Sequence, residues 1–160
     1  MHQGHSGDAS HGMQYGHLAI MGALSFVSMF VLMYAMVDRF ANVFVNVNQV
    51  YMAGLMTMPM IIIELVVMGA MYANKRLNMI IMAACAVALV AFFVLIRQQT
   101  LVYDSQFLRS MIPHHASAIL MCKESPAASP EIKKLCASII TSQQAEIDQM
   151  KGMLNGQAQP

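Results

Sequence analysis

The sequence predicts an all-α membrane protein: three transmembrane helices followed by a C-terminal helical hairpin. Two observations carry this. Of 160 residues, 58% are hydrophobic and 11% charged, whereas soluble domains are about a quarter charged. The last third instead alternates apolar and polar residues with helical spacing, punctuated by a proline-rich break.

The chain divides into a His-rich polar tail (1–16), a membrane region (17–97), a hairpin segment (98–156) and a short polar tail (157–160). The first stretch, MHQGHSGDASHGMQYGH, holds His2, His5, His11 and His17, four glycines and neither Lys nor Arg. Short His-rich tracts with flexible spacers can wrap a metal ion without a preformed site. The bland reading is a tag-like tail with no ligand.

Three nearly charge-free spans follow, about 17–37, 50–72 and 77–96. Each reaches the ~20 residues a helix needs to cross a ~30 Å hydrocarbon layer. The first is too long an apolar stretch for a signal peptide, and no basic residue precedes it, so it is expected to stay as an anchor. Glu64 is the one ionisable residue deep inside a span, and it shares a helix face with Met60, Met68 and Met71, just after Pro59. It reads either as a relay position or as a protonated carboxyl bonded to a neighbouring helix. Lys75 and Arg76 pull their loop toward the cytoplasm, and Arg39, Arg97 and Arg109 pull the other side, so charge leaves orientation nearly balanced.

In the hairpin segment Asp104 is the expected N-cap of a helix running to about Glu124. SPAASP breaks it, and Ser129-Pro130-Glu131 restarts a helix with a capping serine, a first-turn proline and an acid. Pro113 removes one hydrogen bond inside the first helix. Two neighbouring stripes each carry an imidazole: Phe107, Met111, His114, Ala118, Met121, and Leu108, Ile112, His115, Ile119, Cys122. Both histidines are therefore expected on the broad apolar face. Ile132, Cys136, Ile140, Gln143, Ile147, Met150 and Leu154 form the facing stripe, and a turn near Ala127 sets Gln143 level with Met111 and His114. A core of ~55 residues is marginal alone, so the hairpin should pair with a second copy as a homodimer or lean on another surface.

Met occurs 18 times, and thioether sulfur suits Cu(I) while imidazole serves several transition metals. Most of these methionines read as apolar filler. Adjacent histidines in an apolar run are harder to dismiss, because an unpaired buried imidazole costs roughly 1 to 3 kcal/mol. The segment lacks Glu-x-x-His pairs, which disfavours a dinuclear iron site. No nucleophile with a convincing orienting base is present, so the protein is expected not to be an enzyme. A net charge of +1 without a basic cluster sets nucleic acid aside. The three cysteines form neither a Cys-x-x-Cys pair nor a disulfide framework.

Two stretches, DSQFLRSMIPHHASAILM and LCASIITSQQAEIDQM, resemble a bacterial family classed as domain of unknown function 305. The resemblance rests on Asp104, Phe107, Met111, His114, His115, Ala118, Ile119, Leu135, Ile139, Gln143, Glu146, Ile147 and Met150. It implies a ferritin-like hairpin, half of a four-helix bundle, with copper at Met111, His114, His115, Met121 and Met150, and Gln143 and Glu146 behind them. It also implies export of the hairpin across a bacterial inner membrane, with Lys75 and Arg76 inside. The function expected is Cu(I) sequestration or handover to or from another protein. The competing expectations are a metal transporter or channel subunit using the Glu64 face, and a structural assembly protein with no metal.

Overall fold

The computed structural model describes the backbone of residues 5–127 and 129–157, and the side chains of 12–127 and 129–156. It is helical, with no strand among the described residues. The order is α1 (His5–Leu32), two short 3-10 turns (Met33–Met36 and Phe40–Asn42), α2 (Val47–Val67), α3 (Lys75–Gln98), α4 (Asp104–Glu124) and α5 (Pro130–Gln157). Three stretches are long and apolar enough to cross a membrane: Gly12–Met36, Val47–Val67 and Lys75–Gln98. Few of their residues are buried within the protein, and side chains such as Leu24, Val31, Val66, Val87 and Val90 stand out from it. Apolar faces of that extent are compatible with a lipid environment.

The start of the chain differs from expectation. Helix α1 begins at His5, so most of the stretch read as a polar tail is helical. The second span ends at Val67, and turns run on through Met71. Glu64 therefore lies one helical turn from the end of α2 rather than deep in a span, because Met68 to Tyr72 form the connection and not more helix.

Contacts divide the chain into two compact units, one drawn from residues up to 31 and from 50–99, the other from 32–49 and from 100 onward. In the first unit α1 and α2 run antiparallel. Leu18, Leu65 and Tyr72 form a small core, and a Cβ on Gly22 would sit 3.1 Å from the Ile61 side chain. Thr57 donates to the Met29 sulfur across the pair at 3.7 Å. Helix α3 is fixed at both ends. Tyr15 donates to Asn78 Oδ1 at 2.6 Å, Asn74 caps α3 by accepting from Leu77 N–H at 3.0 Å, and the Phe92 ring lies against Gly54, where a Cβ would come within 2.5 Å. Small residues of this kind let membrane helices approach closely.

The second unit is the hairpin with a cover. Leu108, Ile112, Ala116 and Ile119 of α4 pack on Ile147 and Met150 of α5, and Val37 and Phe44 close over that core. The marginal hairpin thus leans on the chain's own residues 32–49, one of the two expected solutions. Pro113 helps to recruit them. Its missing N–H leaves the Arg109 carbonyl without a helical partner, and Asn46 Nδ2 approaches that oxygen at 3.5 Å while bonding Phe44 O at 3.0 Å. The same Asn46 accepts from Gln49 N–H at 3.0 Å, and Gln106 accepts from Val47 N–H at 3.1 Å, so two orphan donors of the first turn of α2 are satisfied.

Candidate metal centre on the hairpin

Helix α4 starts differently from the expected capping. Phe107 N–H bonds Tyr103 O at 2.8 Å, so Tyr103 is the capping position and it makes no side-chain cap. Asp104 is the first helical residue, where its charge suits the helix dipole. Ser129 caps α5 as its sequence suggests, accepting from Ile132 N–H at 3.3 Å and donating to Glu131. The Glu131 carboxyl is held below its ordinary range by its own backbone N–H and by Ser129.

Only one of the two stripes on α4 is covered. Leu108, Ile112, His115 and Ile119 are buried, whereas Phe107, His114 and Met121 are exposed and Met111 is half-buried. The expectation that both histidines lie on the buried face is corrected: adjacent helical residues point about 100° apart, and a single partner helix covers only the stripe that faces it. The His114 ring sits 6.0 Å from that of His115, edge-on.

Both nitrogens of His115 are engaged. Nδ1 lies 2.9 Å from Met111 O and Nε2 lies 2.6 Å from Glu146 Oε2. A carbonyl oxygen only accepts, so Nδ1 carries hydrogen. Nε2 and the carboxylate oxygen share one hydrogen bond, at a distance too short for a metal ion to lie between them, so a metal on Nε2 would need the Glu146 side chain to turn aside. The backbone-oriented imidazole is the arrangement found in metal-ligating histidines, whose second nitrogen donates to a carbonyl. The side chain of Glu146 is 52% exposed and is free to rotate about its own bonds.

Glu146 is thus opposite His115, and the expected level of Gln143 is corrected. Helix α4 ends at Glu124 and α5 starts at Pro130, so the break lies where expected, but the pairing of His115 with Glu146 sets Gln143 about one turn nearer the loop. Met150 is buried in the hairpin core and Met111 packs against it. The structure therefore gathers His115, Glu146, Met111 and Met150 in one region and leaves His114 and Met121 on the surface. Among the described residues no three His, Cys, Asp or Glu side chains cluster as a metal site. Any ligand set here must draw on thioethers. His2 and the side chains of His5 and His11 lie outside the described residues, and His17 is exposed on α1.

The structure adds two local features. Cys122 and Cys136 face one another across the hairpin, and the hydrogen bond that the Cys122 thiol donates to Cys136 pushes Cys122 above the ordinary thiol range. Asn42 is buried and links the cover to the hairpin through Asp38 and Lys151. The spacing of Cys122 and Cys136 about the SPAASP break could have indicated the first. Nothing in the sequence pattern marked the second.

These features define a helical protein with three membrane-competent spans and a C-terminal hairpin carrying a buried histidine paired with an exposed carboxylate. The family described as Domain of unknown function (DUF305) matches residues 92–154. An uncharacterized protein of Acanthamoeba polyphaga mimivirus is 32% identical over 120 residues, 74% of this chain and 77% of that protein. The chain belongs to the DUF305 family. The viral likeness is longer than the family match, so it reaches beyond the hairpin into the apolar spans. No solved structure matches the chain.

Proposed function

We propose that the protein is a non-enzymatic, membrane-anchored metal-binding protein that sequesters Cu(I) or hands it to or from another protein. The observation that carries the proposal is His115, whose Nδ1 is oriented by Met111 O and whose Nε2 is held by the exposed Glu146 side chain, so that Nε2 becomes a ligand when Glu146 turns aside. Met111 and Met150 supply soft sulfur beside them, and soft thioethers with imidazole select Cu(I) over hard ions. His114 and Met121, on the surface, would take part in capture and release. Anchoring follows from the three apolar helices.

The test is competition titration of the full chain in micelles against a chromophoric Cu(I) chelator. The double variant His114→Ala, His115→Ala should lose the tightest site, and Glu146→Gln, which keeps the side-chain shape, should weaken it. A titration curve unchanged in the double variant overturns the proposal.

In this reading the protein sits in a bacterial inner membrane with Lys75 and Arg76 inside and the hairpin outside, which reporter fusions at the C-terminus would check. Two hairpins pairing about a two-fold axis would complete a ferritin-like four-helix bundle. The exposed Phe107, Met121 and Leu135 are the apolar surface such a homodimer would bury, and cross-linking at Leu135→Cys would detect it.

A further inference from the structure

In the unit formed by α1, α2 and α3, the face of α1 carrying Gln14, His17, Leu18 and Met21 borders a cavity of about 200 Å³. These positions follow helical spacing, so their side chains stack along one stripe. Glu64 from the last turn of α2, with Met71 and Tyr72 from the connection that follows, completes the lining. Residues 50 positions apart in sequence thus bring an imidazole, a carboxylate, two thioethers and an amide to one space.

Two observations indicate that this space lacks an occupant. Gln14 Oε1 is buried and has no hydrogen-bond partner, a costly state for an amide oxygen. Glu64 receives the Tyr72 hydroxyl at 3.4 Å, but among the described residues no cationic side chain pairs with it. Lys75, the nearest in sequence, is turned onto the carbonyls of Gly69 at 2.6 Å and Tyr72 at 3.5 Å.

We infer that this cavity binds one soft monovalent cation of the Cu(I) class, with His17, Met21 and Met71 as ligands, Glu64 as counter-charge and Gln14 Oε1 at its margin. Two thioethers and an imidazole are a soft donor set. Charge selects the valence: one carboxylate and one monovalent ion are neutral together, whereas a divalent ion would leave net charge beside apolar helix ends, where uncompensated charge is costly. This site is built from other residues than the hairpin centre and does not depend on it.

The experiment uses the full chain in micelles with methyl-13C methionine and Ag(I), a diamagnetic ion of the same charge and softness. The methyl resonances of Met21 and Met71, assigned by Met21→Leu and Met71→Leu, should shift together on addition of Ag(I) and saturate with one equivalent. They should also do so in a His114→Ala, His115→Ala background, which separates this site from the hairpin. Glu64→Gln should weaken the response at least about tenfold, since it removes the compensating charge, with helicity by circular dichroism as the folding control. Resonances of Met21 and Met71 that stay in place at saturating Ag(I), or shift equally in Glu64→Gln, overturn the inference. A response to Zn(II) stronger than to Ag(I) also overturns it.

Discussion

Asn42→Ala tests whether residues 32–49 are part of the hairpin's folded unit. Asn42 is 1% exposed. Its Nδ2 donates to Asp38 Oδ1, and its Oδ1 accepts from Lys151 Nζ on α5 at 2.6 Å. The Asp38 side chain is 4% exposed, so alanine strips a donor from a nearly dry carboxylate. Hydrogen bonds to charged groups contribute roughly 1.5 to 3 kcal/mol when their loss leaves a partner unsatisfied. Lys151 is only half-buried and regains water, so its bond is worth about 1 kcal/mol or less. The sum is about 3 kcal/mol, or on the order of 100-fold in an opening equilibrium. The assay is hydrogen exchange of the slowest amides in α4 and α5, which report opening of the whole unit. Acceleration below about threefold, equivalent to less than ~1 kcal/mol, would refute the reasoning, because the segment would then lie on the hairpin without stabilising it.

The pH dependence of the same network has a definite sign. Burial raises Asp38, but the hydrogen bonds from Asn42 and Arg39, with the Arg39 and Lys123 charges, outweigh it and hold the carboxyl below its ordinary value. A depressed folded-state carboxyl stabilises the fold above its unfolded value near pH 4 and loses that contribution as pH falls through the lower folded value. Asn42→Ala removes one of the lowering partners, so the acid-side loss should begin at higher pH.

Ile112→Ala, at a residue with no exposure, should cost the hairpin about 2 to 5 kcal/mol by transfer and cavity effects, read by urea unfolding of α4 and α5 amides; a loss under ~1 kcal/mol would contradict the packing. Alkylation of Cys122 at pH 7.5 should be slower than that of a free cysteine peptide and should quicken in Cys136→Ala, because the hydrogen bond donated to Cys136 raises the thiol; equal rates in the two proteins would count against the pairing. Gly54→Val should destabilise the α2–α3 contact by roughly 1 to 3 kcal/mol through overpacking against Phe92. Phe92→Ala in the same chain should recover part of the thermal midpoint, and no recovery would place the strain elsewhere.

Much of this fold is legible from composition alone. The three apolar spans appear within a few residues of their predicted limits, since length and hydropathy suffice where lipid is the solvent. The Ser129-Pro130-Glu131 start of α5 is equally local, because capping is settled within one turn. The histidine pair is a different case. Sequence marks His114 and His115 as unusual and puts each on an apolar stripe, yet which stripe is covered depends on the azimuth of α5, and that is set by packing. Register is similar: with the break where the sequence puts it, the way α5 slides along α4 still decides that Glu146 rather than Gln143 stands opposite His115.

The role of residues 32–49 was not legible, because the partners of Asn46, Arg39 and Asn42 on α4 and α5 lie more than 60 positions away and each is reached by a single hydrogen bond: Asn46 to Arg109, Arg39 to Gln144, and Lys151 to Asn42. Nor was the meeting of His17 with Glu64. The sequence assigned one to a tail and the other to a span, and only antiparallel packing of α1 on α2 brings them to a common cavity.

By itself, then, the sequence determined that the chain is helical, where it is apolar enough to cross a membrane, and where its hairpin turns. Those properties follow from side-chain hydropathy and from backbone donors and acceptors within a few residues of one another. Tertiary structure alone decided that His115 is buried and paired while His114 is exposed, that the 32–49 segment covers the hairpin, and that His17 and Glu64 line one cavity. The physical reason is that each depends on the angle and register at which one helix lies on another, and these are fixed by packing across long sequence separations rather than by any local preference.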